Sequence, residues 1–126
     1  MLYDEDTLLI TYDYLLKKWG IIKVTRLSRI ENPQDTAGIK DRISLAIQDS
    51  QNELLGFLGF LNWGDVYPSI KQYVTGILHL FVEYRLNPSD YLLSQISLAK
   101  DMMLAMRKDQ QSSSQDSSEP LGIFVV

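Results

Sequence analysis

Two apolar helical patterns stand back to back in residues 67–106, separated by little more than Asn87-Pro88, and this pairing constrains the fold more than any other feature. Ile70, Val74, Ile77, Phe81 and Arg85 recur at three- and four-residue spacing, and Tyr73, Leu78, Val82 and Leu86 widen the apolar stripe to most of the circumference. Such a helix belongs in the middle of a domain. Pro68 suits the first turn, where an amide would have had no partner, and Pro88 disfavours the α conformation at Asn87, so both ends are marked. Ser89 or Asp90 can cap a second helix with Leu92, Ile96, Ala99, Met103 and Met106 on one face and Lys100, Asp101, Arg107 and Lys108 turned outward. With so short a connection the two helices lie side by side and antiparallel.

The rest of the chain is read as packing on this pair. Its 126 residues suffice for one domain with tails. The absence of cysteine removes disulfides, thiolate metal sites and cysteine nucleophiles together and fits a reducing compartment. No apolar run approaches the roughly 20 residues that span a bilayer, and the N-terminal stretch is acidic where a signal peptide would be basic, so the expectation is a soluble, non-exported chain without a membrane partner. A net charge of −4 argues against a free-standing nucleic-acid binder, although local basic patches remain compatible with it.

Asp4, Glu5 and Asp6 place negative charge ahead of a first helix of about four turns, with Leu8, Leu9, Tyr12, Leu15, Leu16 and Trp19 on its apolar face. Lys17 and Lys18 fall in its last turn, and Gly20 can take the left-handed position beyond it. Residues 21–30 are ambiguous between strand, loop and a single helical turn, and are expected to form a connector anchored by Ile22, Leu27 and Ile30. Lys17, Lys18, Lys23, Arg26 and Arg29 form a basic cluster with no acidic residue among them. It reads either as a solvated surface or as a contact for phosphate or an acidic partner. After a loop over residues 31–37, capped by Asp35 or Thr36, a helix of some six turns carries Ile39, Ile43, Ala46, Ile47, Ser50, Leu54, Phe57, Leu58 and Leu61, with Gln48 and Gln51 on its polar side. Gly56 and Gly59 weaken its end by about 1 kcal/mol each relative to alanine, through fraying or to admit a neighbouring backbone. Residues 62–66 form a turn.

Beyond Lys108 the composition changes. Residues 109–120 contain no apolar side chain except Pro120 and five serines, a composition that predicts a flexible linker. Then comes Leu121-Gly122-Ile123-Phe124-Val125-Val126, apolar and β-prone. An extended tether of this length reaches about 40 Å. The segment can therefore fold back on its own helices as a strand or cap, or leave them and add a strand to, or fill a groove on, a partner. In an extended conformation Ile123 and Val125 face one way, and Phe124 and Val126 the other.

Catalytic signatures are sparse. His79 is the single histidine, which argues against a two-histidine metal site or a histidine-paired nucleophile. Gly56 and Gly59 lie inside an apolar helix without the Lys-Ser/Thr of a phosphate loop. Asp41, Asp49 and Glu53 form a helical polar row, and Met102, Met103 and Met106 read as core filling. A non-enzymatic chain without cofactor is expected.

In order along the chain stand Ala37-Gly38-Ile39, Ala46-Ile47-Gln48-Asp49-Ser50, Glu53-Leu54-Leu55-Gly56-Phe57-Leu58, Tyr67-Pro68 and Phe81-Val82-Glu83-Tyr84-Arg85-Leu86-Asn87-Pro88. This succession, over residues 4–106, resembles the small head–tail connector proteins of tailed bacteriophages, the family typified by the Mu-like neck protein. The resemblance implies a virion protein made in the host cytoplasm. It implies a ring, usually of about twelve copies, docked on the portal protein, extending the DNA channel without sequence-specific contact and presenting a platform to the next neck or tail protein. The expected architecture is all-α: a four-helix bundle-like domain (1–108), a Ser-rich linker (109–120) and an apolar docking segment (121–126) that meets the portal or a neighbouring copy. In that setting Lys17, Lys18, Lys23, Arg26 and Arg29 face the channel or an acidic neighbour. A small helical module acting through peptide or nucleic-acid contacts is the alternative.

Overall fold

The computed structural model describes residues 3–118, with side chains described as far as residue 109. Its regular elements are α1 (Tyr12–Trp19), α2 (Ile21–Ser28), α3 (Thr36–Leu58), α4 (Pro68–Leu86) and α5 (Asp90–Ser118), with single 3-10 turns at Glu5–Thr7 and Trp63–Asp65. The fold is all-helical, with no strand among the described residues. The segment 121–126, expected to be β-prone, lies outside them.

Among the described residues five helices replace the four expected, because residues 21–30 are not a connector. Gly20, at φ 87° and ψ 159°, turns the chain sharply between α1 and α2. Val24, Leu27 and Ser28 then form a buried helical stripe, whereas Ile22 is 80% exposed. An exposed isoleucine thus masked the helical period. The first helix is also shorter than expected, two turns instead of four. Thr11 caps it by accepting the Tyr14 amide at 3.2 Å, so residues 8–10 precede the helix. Leu8 and Leu9 still pack against the core and Ile10 is buried.

Asp35 caps α3 through the Gly38 amide (3.0 Å), and Gly59, at φ 82°, ends it. The Phe60 amide donates to the Leu55 carbonyl and the Gly59 amide to the Gly56 carbonyl, a paired arrangement that satisfies the last carbonyls of the helix. No atom outside its immediate neighbours lies within 4 Å of a β-carbon built on Gly56, so neither glycine serves close backbone packing. Leu61, expected on the apolar face of this helix, lies beyond its end and is 95% exposed.

Pro68 opens α4 and Ser89 caps α5, its hydroxyl accepting the Leu92 amide at 3.2 Å. Helix α4 runs antiparallel to α3, with Arg85 beside Ser50 near one end of the pair and Thr75 in the same groove as Leu55 nearer the other. Helix α5 returns alongside α3: Lys100 stands over the Phe57 ring, and Arg107 Nη1 donates to the Leu58 carbonyl at 3.3 Å. Ile43, Ile47, Leu54, Val74, Leu78, Val82 and Met103 fill the space between, each fully buried. Where the sequence predicts a linker from Asp109, the backbone of α5 is helical to Ser118. Extending a formed helix adds one hydrogen bond per residue and is far easier than nucleating one.

Candidate functional site

Three surfaces stand out: a basic face on α1 and α2, a groove beside the N-terminal arm, and the outer side of α5. The five basic residues do not act alike. Lys23 Nζ pairs with Glu83 at 3.1 Å and sits 5.2 Å from the centroid of the Trp19 ring, which ties α2 to α4. Arg29 takes the left-handed conformation (φ 58°) just past α2, and its Nη2 donates to the Leu86 carbonyl at the end of α4 (3.4 Å). Its cation thereby meets a helix C-terminus, where the macrodipole favours it. Lys17, Lys18 and Arg26 form no ion pair among the described residues. These three are the cations free to meet an outside anion.

His79 lies under this face. Burial lowers its pKa below the model-peptide value of 6.5, the nearby Lys18 pushes the same way, and Glu83 opposes them. Its Nδ1 is buried without a hydrogen-bond partner.

The groove follows from how the N-terminal arm is held. Gln51, on α3 and only 2% exposed, accepts the Leu9 amide with Oε1 and donates to the Thr7 carbonyl with Nε2, both at 2.8 Å. Gln48 accepts the Asp4 amide, and Asp41 accepts the Tyr3 hydroxyl. Three polar side chains on α3 thus lay the arm along the helix. Between the arm, the end of α3, the turn at residues 61–63 and the start of α4 opens a groove of about 580 Å³. Sequence reasoning placed Gln51 on the polar side, although its spacing from Ile47 and Leu54 puts it with the apolar face; that spacing is the signal it missed.

On α5 the buried stripe is Leu92, Ile96, Ala99 and Met103. Tyr91, Leu98 and Met102 are exposed on one flank of it and Leu93 and Leu104 on the other. The helix carries more apolar surface than its own bundle covers. A crevice of about 370 Å³ runs along the second flank, lined by Glu53, Tyr84, Arg85, Leu93 and Lys100 among others. Arg85 crosses it: its Nε donates to Ser50 Oγ at 3.3 Å and its Nη2 pairs with Glu53.

The segment Leu121, Gly122, Ile123, Phe124, Val125 and Val126 lies outside the described residues. Among those that are described, no group of three or more histidine, aspartate or glutamate side chains is placed to hold a metal ion, and no helix is long and apolar enough to cross a membrane. No protein-family profile matches the sequence, nor does any curated protein or solved structure.

Proposed function

We propose that the chain is a structural head–tail adaptor of a tailed bacteriophage, a helical subunit that joins copies of itself into a ring beneath the portal, extends the DNA channel and seats the next neck or tail protein. In this role it catalyses nothing and resides in the virion. The observation that carries the reading is the Arg85 tie. The stretches Asp49-Ser50-x-x-Glu53 and Tyr84-Arg85-Leu86-x-Pro88, which bear much of the family resemblance, meet in space through Arg85, Ser50 and Glu53. Their polar residues therefore form one arrangement in the fold.

Two further features suit the role. The exposed Tyr91, Leu98 and Met102 fit a subunit that buries more surface in an assembly than alone. Lys17, Lys18 and Arg26 offer free cations to passing DNA or to an acidic neighbour, a contact made through charge and indifferent to base sequence. In this reading the segment 121–126 is the anchor that meets the portal or a neighbouring copy.

Deletion of residues 119–126 tests the reading. The truncated chain keeps its helical circular dichroism and loses co-sedimentation with the cognate portal protein. Unchanged co-sedimentation removes the anchor. In the same assay, with packaged DNA as the readout, reversal of Lys17, Lys18 and Arg26 to glutamate weakens assembly or DNA retention; no effect on either removes the basic contact.

A further inference from the structure

The groove beside the N-terminal arm has the size and lining of a peptide seat. Its volume of about 580 Å³ falls within the range of roughly 300–1,000 Å³ typical of ligand sites. Leu8, Leu9, Leu55 and Trp63 give it apolar walls, and Leu61 stands on its rim almost wholly in solvent. Asn62 and Thr75 add hydrogen-bonding side chains, which a bound backbone needs, since its own amides and carbonyls would otherwise lose water without replacement. Lys71 lines the same groove, and its ammonium makes no ion pair among the described residues.

The chain contains one segment made for such a seat. Leu121-Gly122-Ile123-Phe124-Val125-Val126 is uncharged and apolar on both faces of an extended strand, and Glu119, just ahead of it, complements Lys71. We infer that the groove receives this segment from a second copy of the chain.

Reach selects the second copy. Helix α5 passes the end of α3 at Arg107, which holds the Leu58 carbonyl, and continues eleven residues further to Ser118. At 1.5 Å per residue this carries the chain about 16 Å beyond that end of the bundle. Glu119 and Pro120 span about 7 Å at most, so a return to the chain's own groove, which opens just after Leu58, would spend Leu121 to Ile123 on the way back and leave only the last residues to occupy it. A neighbouring copy's groove is under no such restriction. Exchange of this kind joins head to tail, and head-to-tail contacts close into rings when the rotation between copies allows it. The inference gives the anchor of the adaptor reading a seat and rests on it only for the idea that the segment leaves its own bundle.

The absence of cysteine from the sequence makes the test clean. Leu61→Cys is mixed with Ile123→Cys and, separately, with Phe124→Cys, so that both faces of the extended segment are sampled, the partners carrying tags of different length. After mild oxidation of the full-length proteins, non-reducing electrophoresis is expected to show a mixed dimer several-fold more abundant with at least one of them than when Tyr91→Cys replaces Leu61→Cys. Absence of the mixed dimer, or equal yield from Tyr91→Cys, overturns the inference. So does a Leu61→Cys/Ile123→Cys or Leu61→Cys/Phe124→Cys double variant that closes only within one chain. No portal is present, so loss of portal binding with the cross-link intact counts against the adaptor reading alone.

Discussion

Gln51 shows how one side chain can decide the course of a whole segment. An α-helical face that is otherwise Ile47, Leu54 and Leu58 holds a single amide, and that amide offers one acceptor and one donor to the arm's Leu9 amide and Thr7 carbonyl. Gln51→Ala leaves both backbone groups without their side-chain partner at a part-buried site. The expected loss is about 1–3 kcal/mol in urea unfolding; a change below the error of that measurement would show that the arm's other contacts, among them Tyr3 with Asp41, Asp4 with Gln48 and buried Ile10, hold it without Gln51. His79 gives stability a pH dependence. Its folded pKa lies below 6.5, so the unfolded chain takes up the proton first as pH falls. Its contribution is therefore complete above about pH 6.5 and is lost as pH falls through the lower, folded value. Unfolding midpoints between pH 7 and 5 should slope less steeply in His79→Gln than in the parent; parallel slopes would contradict the assignment.

Among elements, the hairpin of α4 and α5 was legible because Pro68, Asn87-Pro88 and Ser89 mark its ends chemically. Helix α2 was not, because local pattern weighs every isoleucine as core, whereas Ile21 and Ile22 face outward and the buried stripe begins at Val24. Likewise α1 was drawn too long, since Leu8 and Leu9 do meet the core but from an irregular segment pinned by Gln51. Tertiary contacts set both outcomes, and periodicity does not contain them. The two glycines near the end of α3 make the sharper point, for they look alike in sequence and differ in duty. Gly59 sits at φ +82°, where a β-carbon is strained although its nearest outside contact, Arg107 Nη1, lies an ordinary 3.5 Å away. Gly59→Ala should cost about 1–2 kcal/mol. Gly56, within the helix and with open space around it, should gain up to about 1 kcal/mol when changed to alanine. Thermal unfolding of the two variants reads both signs; the same sign for both would show that the helix does not end where it is described.

At the level of the whole molecule, the five helices of the described residues close one core and leave apolar and cationic surface exposed among those residues. The basic cluster was legible as composition, but its division was not: only the fold reveals that Lys23 and Arg29 brace α2 against α4 while Lys17, Lys18 and Arg26 remain free of ion pairs among the described residues. The groove was hidden for a related reason, being assembled from the arm, the end of α3 and the start of α4, with lining residues as far apart in sequence as Asp6 and Thr75. Exposed Tyr91, Leu98 and Met102, the open groove and the apolar segment 121–126 share one explanation if the working form is a ring of copies on a portal. The most direct measurement is electron microscopy of the full-length chain mixed with the cognate portal protein of the proposed adaptor role. A ring of copies seated on the narrow end of the portal, coaxial with its channel, is the predicted image; bare portals beside a free, monomeric chain at saturating concentration would contradict the account.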